Sequence, residues 1–563
     1  MSVFIGYPSF MAYQMMKGKK GNNDGFPSIP GMIARYSASG ITNEQMAANP
    51  VWVDKTGNGH DLQLKNIAWS GMSGVGGYVQ DFNYFKNNAT VDKIRIDEQG
   101  SNFIKVTILT TGIGNAIYIP KNIYQFNKSY FIKISSEGYD EGDMALSFYA
   151  PSTSTATTVT VSLNPNGVTE IPAIKEDDFL AVYINVSGKV GSFTVEQLPL
   201  YPGALVFDGV DDYGVCDNFP ILTKEKGYTV VALRQWITRG EIAQGLVSNV
   251  KNWLKDGAFL LEYRNIQAEH LNKPISFGAI GSEMDLSHIL TYQTSKSCNG
   301  VSITTGNFEG TDVLHVGKLA PINVGTCINA AIWELVFLDH DATEGELTKI
   351  KDYFVKTYPW LFPDQAWTVT GKTNEDEDRA TIANITGNGN NLVLSNFGFA
   401  EGSGYNEEGE YVGYLVTDGV DDRVISSSFT LNKDWTIVGN WKMLQPEANK
   451  LSGIVKQNSL FIYNYVDGLN ISINDAWNLF KLKGIRSVNA ICSDGRIYLN
   501  DWTEIIDSKQ QTVNESVGTL VIGILGNVYT SLAFKNLGFY NNQILSKEDC
   551  IKAYNYLQTL KAK

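Results

Sequence analysis

The sequence predicts an all-β protein: one β-sandwich unit present twice in tandem, the first copy interrupted by a smaller β-sandwich. Three observations carry this. The composition is turn-rich and aromatic-rich, with 53 glycines in 563 residues and 12% Phe, Trp and Tyr, as strands and tight turns require. A set of short motifs recurs in the same order in both halves. Apolar residues alternate with polar ones over short runs, the period of a half-buried strand.

The repeat is the strongest signal. Thr56-Gly-Asn-Gly-His-Asp-Leu-Gln-Leu64 returns 330 residues later as Thr386-Gly-Asn-Gly-Asn-Asn-Leu-Val-Leu394. Upstream, Thr42-Asn-Glu44 returns as Thr373-Asn-Glu375, at offset 331. Val206-Phe-Asp-Gly-Val-Asp-Asp212 returns as Val416-Thr-Asp-Gly-Val-Asp-Asp422, at offset 210. Leu314-His-Val-Gly317 answers Leu520-Val-Ile-Gly523, and Leu335-Val-Phe337 answers Leu537-Gly-Phe539. The offset shrinks from 330 to 210, so copy one carries about 120 extra residues between Leu64 and Val206. The expected organisation is an N-terminal arm over 1–32, copy one over 33–85 plus 201–360, an insertion over 86–200, and copy two over 367–563. The two prolines of Tyr358-Pro-Trp-Leu-Phe-Pro363 mark the junction.

Within each copy, Asn58-Gly59 and Asn388-Gly389 read as type I′ hairpin turns. Val230-Val231 and Thr436-Ile-Val438 suit inner strands, and Val424-Ile425 opens another. One amphipathic helix closes each copy. Thr343 and Glu346 form a capping box ahead of a Leu347, Ile350, Phe354 stripe. Ser546 opens the second helix, with Ile551, Tyr554 and Leu557 (or Tyr556) as its stripe. Both stripes are expected to pack on their own sandwich. In the insertion the alternating sets are Ile104/Val106/Ile108, Tyr130/Ile132/Ile134, Val159/Val161/Leu163 and Leu180/Val182/Ile184/Val186.

These anchors resemble a known family. Asp54-Lys-Thr-Gly-Asn-Gly-His-Asp-Leu62, Leu205-Val-Phe-Asp-Gly-Val-Asp-Asp-Tyr213 and Leu415-Val-Thr-Asp-Gly-Val-Asp-Asp422 are similar to successive strands of laminin-G-like, concanavalin A-like jelly-roll domains. The closing segments Ala342-Thr-Glu-Gly-Glu-Leu347 and Leu545-Ser-Lys-Glu-Asp-Cys550 match too. Copy two departs at Thr417 and Arg423, where Phe and Tyr are usual. The resemblance implies tandem jelly rolls; the insertion loosely resembles a carbohydrate-binding-module sandwich. Such domains together with Gly371-Lys-Thr-Asn-Glu375 resemble virion proteins of phages of Bacteroides-type gut bacteria (crAss-like). That resemblance implies a head or tail fibre, or a capsid decoration subunit. It would be made in the host cytoplasm, displayed on the virion surface, anchored to other virion proteins by its arm, and assembled as a homo-oligomer, with a trimer favoured.

Charge and composition exclude other classes. Lys plus Arg is 45 against 59 Asp plus Glu, a net charge of −14, the wrong sign for nucleic acid or an anionic membrane. Cys216, Cys298, Cys327, Cys492 and Cys550 contain no C-x-x-C, which argues against a zinc site or a disulfide framework. The five histidines, His60, His270, His288, His315 and His340, show no metal-ligand spacing. No run of 18 apolar residues predicts a membrane helix. Lys17, Lys19 and Lys20 follow the apolar start instead of preceding it, unlike a secretory signal.

Three chemistries remain. The Asp208-Gly-Val-Asp-Asp212 and Asp418-Gly-Val-Asp-Asp422 carboxylates could hold Ca²⁺. A tight turn bonding its own backbone is favoured, since EF-type ligand periodicity is absent. A retaining glycosidase needs two carboxylates about 5 Å apart, but no E-x-D-x-x-E run exists. Glu141-Gly-Asp143 and Asp376-Glu-Asp378 read as solvated loops. No nucleophile elbow, P-loop or Rossmann fingerprint is present, so no catalytic residue, cofactor or metal is assigned and a non-enzyme is expected. Glycan binding would stack sugar faces on exposed rings, with Trp69, Tyr78, Tyr84, Trp236, Trp253, Trp441 and Trp477 available, while for any one Trp core packing is favoured. The fibre resemblance implies adhesion to host-surface or mucus glycans. A lectin-like protein acting alone or on a cell surface is the alternative, and a polysaccharide depolymerase a weaker one.

Overall fold

The computed structural model describes residues 24–88, 92–112, 115–154, 156–186, 188–223, 225–238, 244–252, 260–263, 289–299, 301–302, 309–318, 327–400, 402–407, 411–444, 452–457, 460–465, 468–473, 480–483, 488–506, 516–522, 524–525, 528–529 and 531–562. The chain divides into two compact units, Met1–Phe354 and Val355–Lys563. The protein is all-β, built from antiparallel sheets with three helices among the described residues.

In the first unit, one jelly-roll sheet runs Val301–Ser302, Ser297–Cys298, Leu290–Thr294, Thr229–Trp236, Asn329–Leu338, Leu205–Asp208, Gly74–Val75. Met32–Ser37 adds alongside Asn329–Leu338. The facing sheet runs Leu260–Tyr263, Gln244–Asn252, Glu309–Val316, Tyr213–Cys216, Leu62–Lys65, Val51–Trp52. Between them lies a core that includes Tyr36, Trp52, Leu62, Phe207, Val230 and Phe337. Thr229–Trp236 is buried along its whole length, as expected of an inner strand.

The second unit repeats this order. Gly404–Tyr405, Leu415–Val416, Leu532–Asn541 and Trp435–Met443 are consecutive neighbours in one sheet. Thr381–Ile382, Leu392–Ser395, Arg423–Leu431, Ser516–Ile522 and Ser452–Gln457 are consecutive in the other. Even the register irregularity recurs: Leu233/Arg234 against Asn329–Leu338 matches Asn440/Trp441 against Leu532–Asn541.

The closing helices are Glu344–Thr357 and Lys547–Thr559. Thr343 accepts from the Glu346 N–H at 3.3 Å while Glu346 accepts from the Thr343 N–H at 2.9 Å, the predicted box. Ser546 caps the second helix by accepting from the Asp549 N–H at 3.1 Å. Ile350 and Phe354 are buried and Leu347 half-buried. The second helix buries more than its predicted stripe. Cys550, Ala553, Tyr554, Tyr556 and Leu557 are all covered, while Ile551 is only half-buried. This helix contacts both its sheet and the Pro359–Leu361 turn, so it is covered around more of its circumference.

The Asn-Gly turns differ from expectation. Val51–Trp52 and Leu62–Lys65 pair across residues 53–61, far longer than a two-residue hairpin. Gly57 and Gly59 take positive φ, 77° and 86°, but Asn58 is absent from the positive-φ residues, so the type I′ geometry is not formed. The loop is instead organised by Asp54, whose carboxylate accepts from the Arg35 and Thr56 N–H groups at 3.1 and 3.0 Å. Asn58 donates to the Ile33 carbonyl at 2.8 Å.

Residues 86–197 supply two five-stranded sheets. One runs Val159–Ser162, Met144–Tyr149, Ala181–Val186, Ala116–Pro120, Lys86–Asn87. The other runs Val168–Ile171, Tyr130–Glu137, Gly191–Gln197, Phe103–Ile108, Ile94–Gln99. Ile104, Val106, Ile108, Tyr130, Ile132, Ile134 and Leu163 face inward as their alternation predicts. Leu180 does not: it lies 57% exposed, one residue before the strand Ala181–Val186.

The chain enters and leaves this sandwich side by side. Leu200 donates to Gly77 at 2.9 Å and Tyr201 to Gly76 at 2.8 Å. The buried Gln80 and Gln197 clasp each other: Gln80 N–H donates to Gln197 Oε1 at 2.9 Å, and Gln197 Nε2 donates to the Gln80 carbonyl at 3.3 Å.

Candidate ligand-binding surface

Alternation fixes what the first five-stranded sheet shows to solvent. In Ala116–Pro120 the isoleucines at 117 and 119 point into the core, so Tyr118 points out. In Ala181–Val186, Val182 and Ile184 point in, so Tyr183 points out. In Met144–Tyr149, Leu146 and Phe148 point in, leaving Ser147 and Tyr149 outside.

Strand register then places these residues side by side. Thr160, Ser147, Tyr183, Tyr118 and Lys86 are successive cross-strand partners. One row therefore crosses all five strands, about 19 Å at the usual strand spacing. The Tyr118 and Tyr183 rings lie 5.6 Å apart at 31°. Tyr149, 45% exposed, meets the Tyr183 edge at 6.0 Å and 86°. Partial burial within this cluster, with Tyr118 and Tyr149 adding, pushes the Tyr183 phenol above its ordinary range. Small residues flank the row, Ala145 beside Asn185 and Ala181 beside Tyr149. The other sheet of the same sandwich turns Arg95, Lys105, Lys133, Thr194 and Glu196 outward. Phe103 and Phe131 share that outer side, half-buried and buried, so the row of solvent-facing tyrosines is a property of the first sheet.

The rings singled out from sequence fare differently. Trp236 and Trp441 are buried in their cores. Trp69 packs against the first core, and Tyr78 is half-buried with its hydroxyl accepting from Asn102. Tyr84 is exposed at 47%. Trp253 and Trp477, like His270 and His288, lie outside the described residues. Tyr118, Tyr149 and Tyr183 were missed, although the alternation of their neighbours points to them.

The two acidic motifs take the same form. Asp208 Oδ1 accepts from the Val210 N–H at 2.8 Å, and Asp212 Oδ2 accepts from the Asp208 N–H at 3.0 Å. Asp418 and Asp422 repeat this at 2.7 and 2.8 Å. Carboxylate oxygens of Asp208, Asp211 and Asp212 lie within 4.8 Å of one another, as do those of Asp418, Asp421 and Asp422. That spacing could admit a cation, yet each motif spends carboxylate oxygens on its own backbone, as a tight turn does. Burial, with the neighbouring aspartates adding, pushes Asp212 up to about 7 and Asp422 to about 6. Asp143 pairs with Lys189, and Asp376 accepts from the Thr373 N–H at 3.0 Å.

No family model matches the chain, and no curated protein matches it. Among solved structures it is similar to the N-terminal CBM22-1–CBM22-2 tandem domain of Xyn10C from Paenibacillus barcinonensis, at 7% identity and a TM-score of 0.15, over 48% of this chain and 99% of that one. It is similar to Trypanosoma rangeli sialidase in complex with sialic acid, at 10% identity and 0.20, over 87% of this chain and 97% of that one. The binding domain of botulinum neurotoxin serotype D gives 9% identity and 0.23, over 61% and 88%. The architecture described above stands on the strand pairing itself.

Proposed function

We propose that this is a glycan-binding β-sandwich protein displayed on a phage virion, and that the tyrosine face of residues 86–200 contacts the glycan. The observation that supports the reading is the Tyr118–Tyr183 pair in one register row with Tyr149 beside it, on a sandwich whose other face is largely polar. Sugar C–H faces stack on aromatic rings, and rim groups fix the hydroxyls. Lys86, Ser147, Thr160 and Asn185 supply that rim. Binding, not catalysis, is the proposed role. In the same reading the jelly rolls of residues 33–85 plus 201–360 and of 367–563 are structural, the subunit is a homo-oligomer, and residues 1–32 anchor it to other virion proteins. Of that arm residues 24–32 are described; Asp24 and Phe26 contact Arg35 there.

The test is a glycan array with the full chain and with Tyr118→Ala/Tyr183→Ala. The wild type should bind host-surface or mucus polysaccharide and the double variant should lose at least about tenfold, the scale of one stacking contact. A wild type that binds no glycan, or a variant that binds unchanged, overturns it. Deleting residues 1–32 should abolish incorporation into particles; normal incorporation removes the anchor.

A further inference from the structure

The second unit places two thiols on either side of one hydrogen bond, between Thr436 and Leu545. Cys492 ends the strand Val488–Cys492, and Cys550 lies in the first turn of the helix Lys547–Thr559. Both are fully buried and free. The Cys550 thiol lies 4.0 Å from the Leu545 carbonyl, and the Leu545 N–H donates to the Thr436 hydroxyl at 2.9 Å. The Thr436 hydroxyl lies 3.7 Å from the Cys492 sulfur.

The repeat shows that the fold does not require them. Thr229 and Thr436 do the same work in the two jelly rolls: each hydroxyl donates to a carbonyl at the approach to the closing helix, His340 at 2.7 Å and Gln543 at 3.0 Å. Thr229 pairs with Thr294 where Thr436 pairs with Cys492. Leu347, four residues after its cap, matches Cys550, four after Ser546. Copy one thus builds the same junction from Thr294 and Leu347. Copy two places a sulfur at both positions.

We propose that Cys492 and Cys550 are a dithiol that closes to a disulfide, fastening the C-terminal helix to its sheet when the protein meets a low-molecular-weight disulfide. Local opening of the helix bares both sulfurs. The Cys492 thiolate attacks one sulfur of the small disulfide and displaces a thiolate. The Cys550 thiolate then attacks Cys492 in the mixed disulfide and displaces the second. One sulfur–sulfur bond is broken and one formed. The two protons of the protein thiols end on the two released small thiols. The protein dithiol is oxidised and the small disulfide reduced. The neighbouring Cys550 and the Thr436 hydroxyl hold Cys492 below the usual thiol range, which makes it the attacking group.

The full chain is incubated with oxidised glutathione, denatured, alkylated and digested without reductant. The expected product is one linked peptide pair carrying Cys492 and Cys550, reversed by dithiothreitol. The oxidised protein should melt on the order of 5–10 °C higher in the transition of its second unit. In Cys550→Ser, Cys492 should retain a glutathione adduct that nothing resolves. Recovery of both cysteines singly alkylated, both as stable glutathione adducts, or paired with other cysteines overturns the proposal.

Discussion

Asn43 and Val75 exchange two hydrogen bonds, and Asn374 and Tyr405 exchange the same two. The Asn43 amide accepts from the Val75 N–H at 2.7 Å and donates to its carbonyl at 3.2 Å. Asn374 does so with Tyr405 at 2.8 Å in both directions. The recurring Thr-Asn-Glu motif is therefore a clasp on the short edge strand of each jelly roll. Replacing Asn43 by Ala strands a buried N–H and a buried carbonyl, at a cost of about 1–3 kcal/mol. Asn374→Ala should cost less, because Asn374 is half-exposed. Denaturant unfolding of the two variants measures the order; a neutral Asn43→Ala contradicts the clasp.

Arg35 is the second sensitive position. Its guanidinium, 3% exposed, donates to both oxygens of the fully buried Glu334 at 3.0 and 3.1 Å and to the Tyr353 hydroxyl at 2.9 Å. Removing one partner of a buried pair leaves a charge without its counterion, so Arg35→Met should destabilise the first unit by about 3–5 kcal/mol. Chemical denaturation with the second unit as internal reference tests this.

Gly209 and Gly419 occupy the two Asp-Gly-Val turns at φ 84° and 77°. A β-carbon at Gly209 would meet the Asn329 β-carbon at 2.9 Å, and one at Gly419 the Ser531 nitrogen at 3.0 Å. Each Gly→Ala change should cost about 1–3 kcal/mol, seen as separate drops in the two melting transitions.

Asp212 and Asp422 set a pH dependence. Their folded values, about 7 and about 6, lie above the ordinary carboxylate value of 3.8. A raised folded pKa favours the native state most when the group is protonated. That stability is present below about pH 4 and is lost as pH rises through about 6 for Asp422 and about 7 for Asp212. Asp212→Asn should flatten the slope in the first unit. A chelator should leave both melting temperatures unchanged if these motifs are turns; a fall on chelation would make them calcium sites.

Much of this architecture is legible in the sequence because each anchor has a single structural duty. Thr343 and Glu346 can only be a cap, and Asp208 and Asp418 recur because one turn needs the same carboxylate twice. Asn58-Gly59 misleads because its hairpin reading ignores Asp54, which captures the loop's N–H groups from four residues away. The candidate rings divide. Trp236 and Trp441 bury their area in the cores, the packing favoured for any one Trp. The informative residues are tyrosines whose flanking isoleucines and valines dictate that they point outward.

The antiparallel entry and exit of the inserted sandwich has a consequence for how such a protein changes. In the second jelly roll, Gly404–Tyr405 and Leu415–Val416 form the ladder that Gly74–Val75 and Leu205–Asp208 form in the first. Residues 406–414 therefore stand where residues 76–204 stand. The same socket accepts a short loop or an entire sandwich. Insertions can be traded at that socket while both jelly rolls keep their cores, so the inserted part is free to diverge faster than the scaffold that carries it.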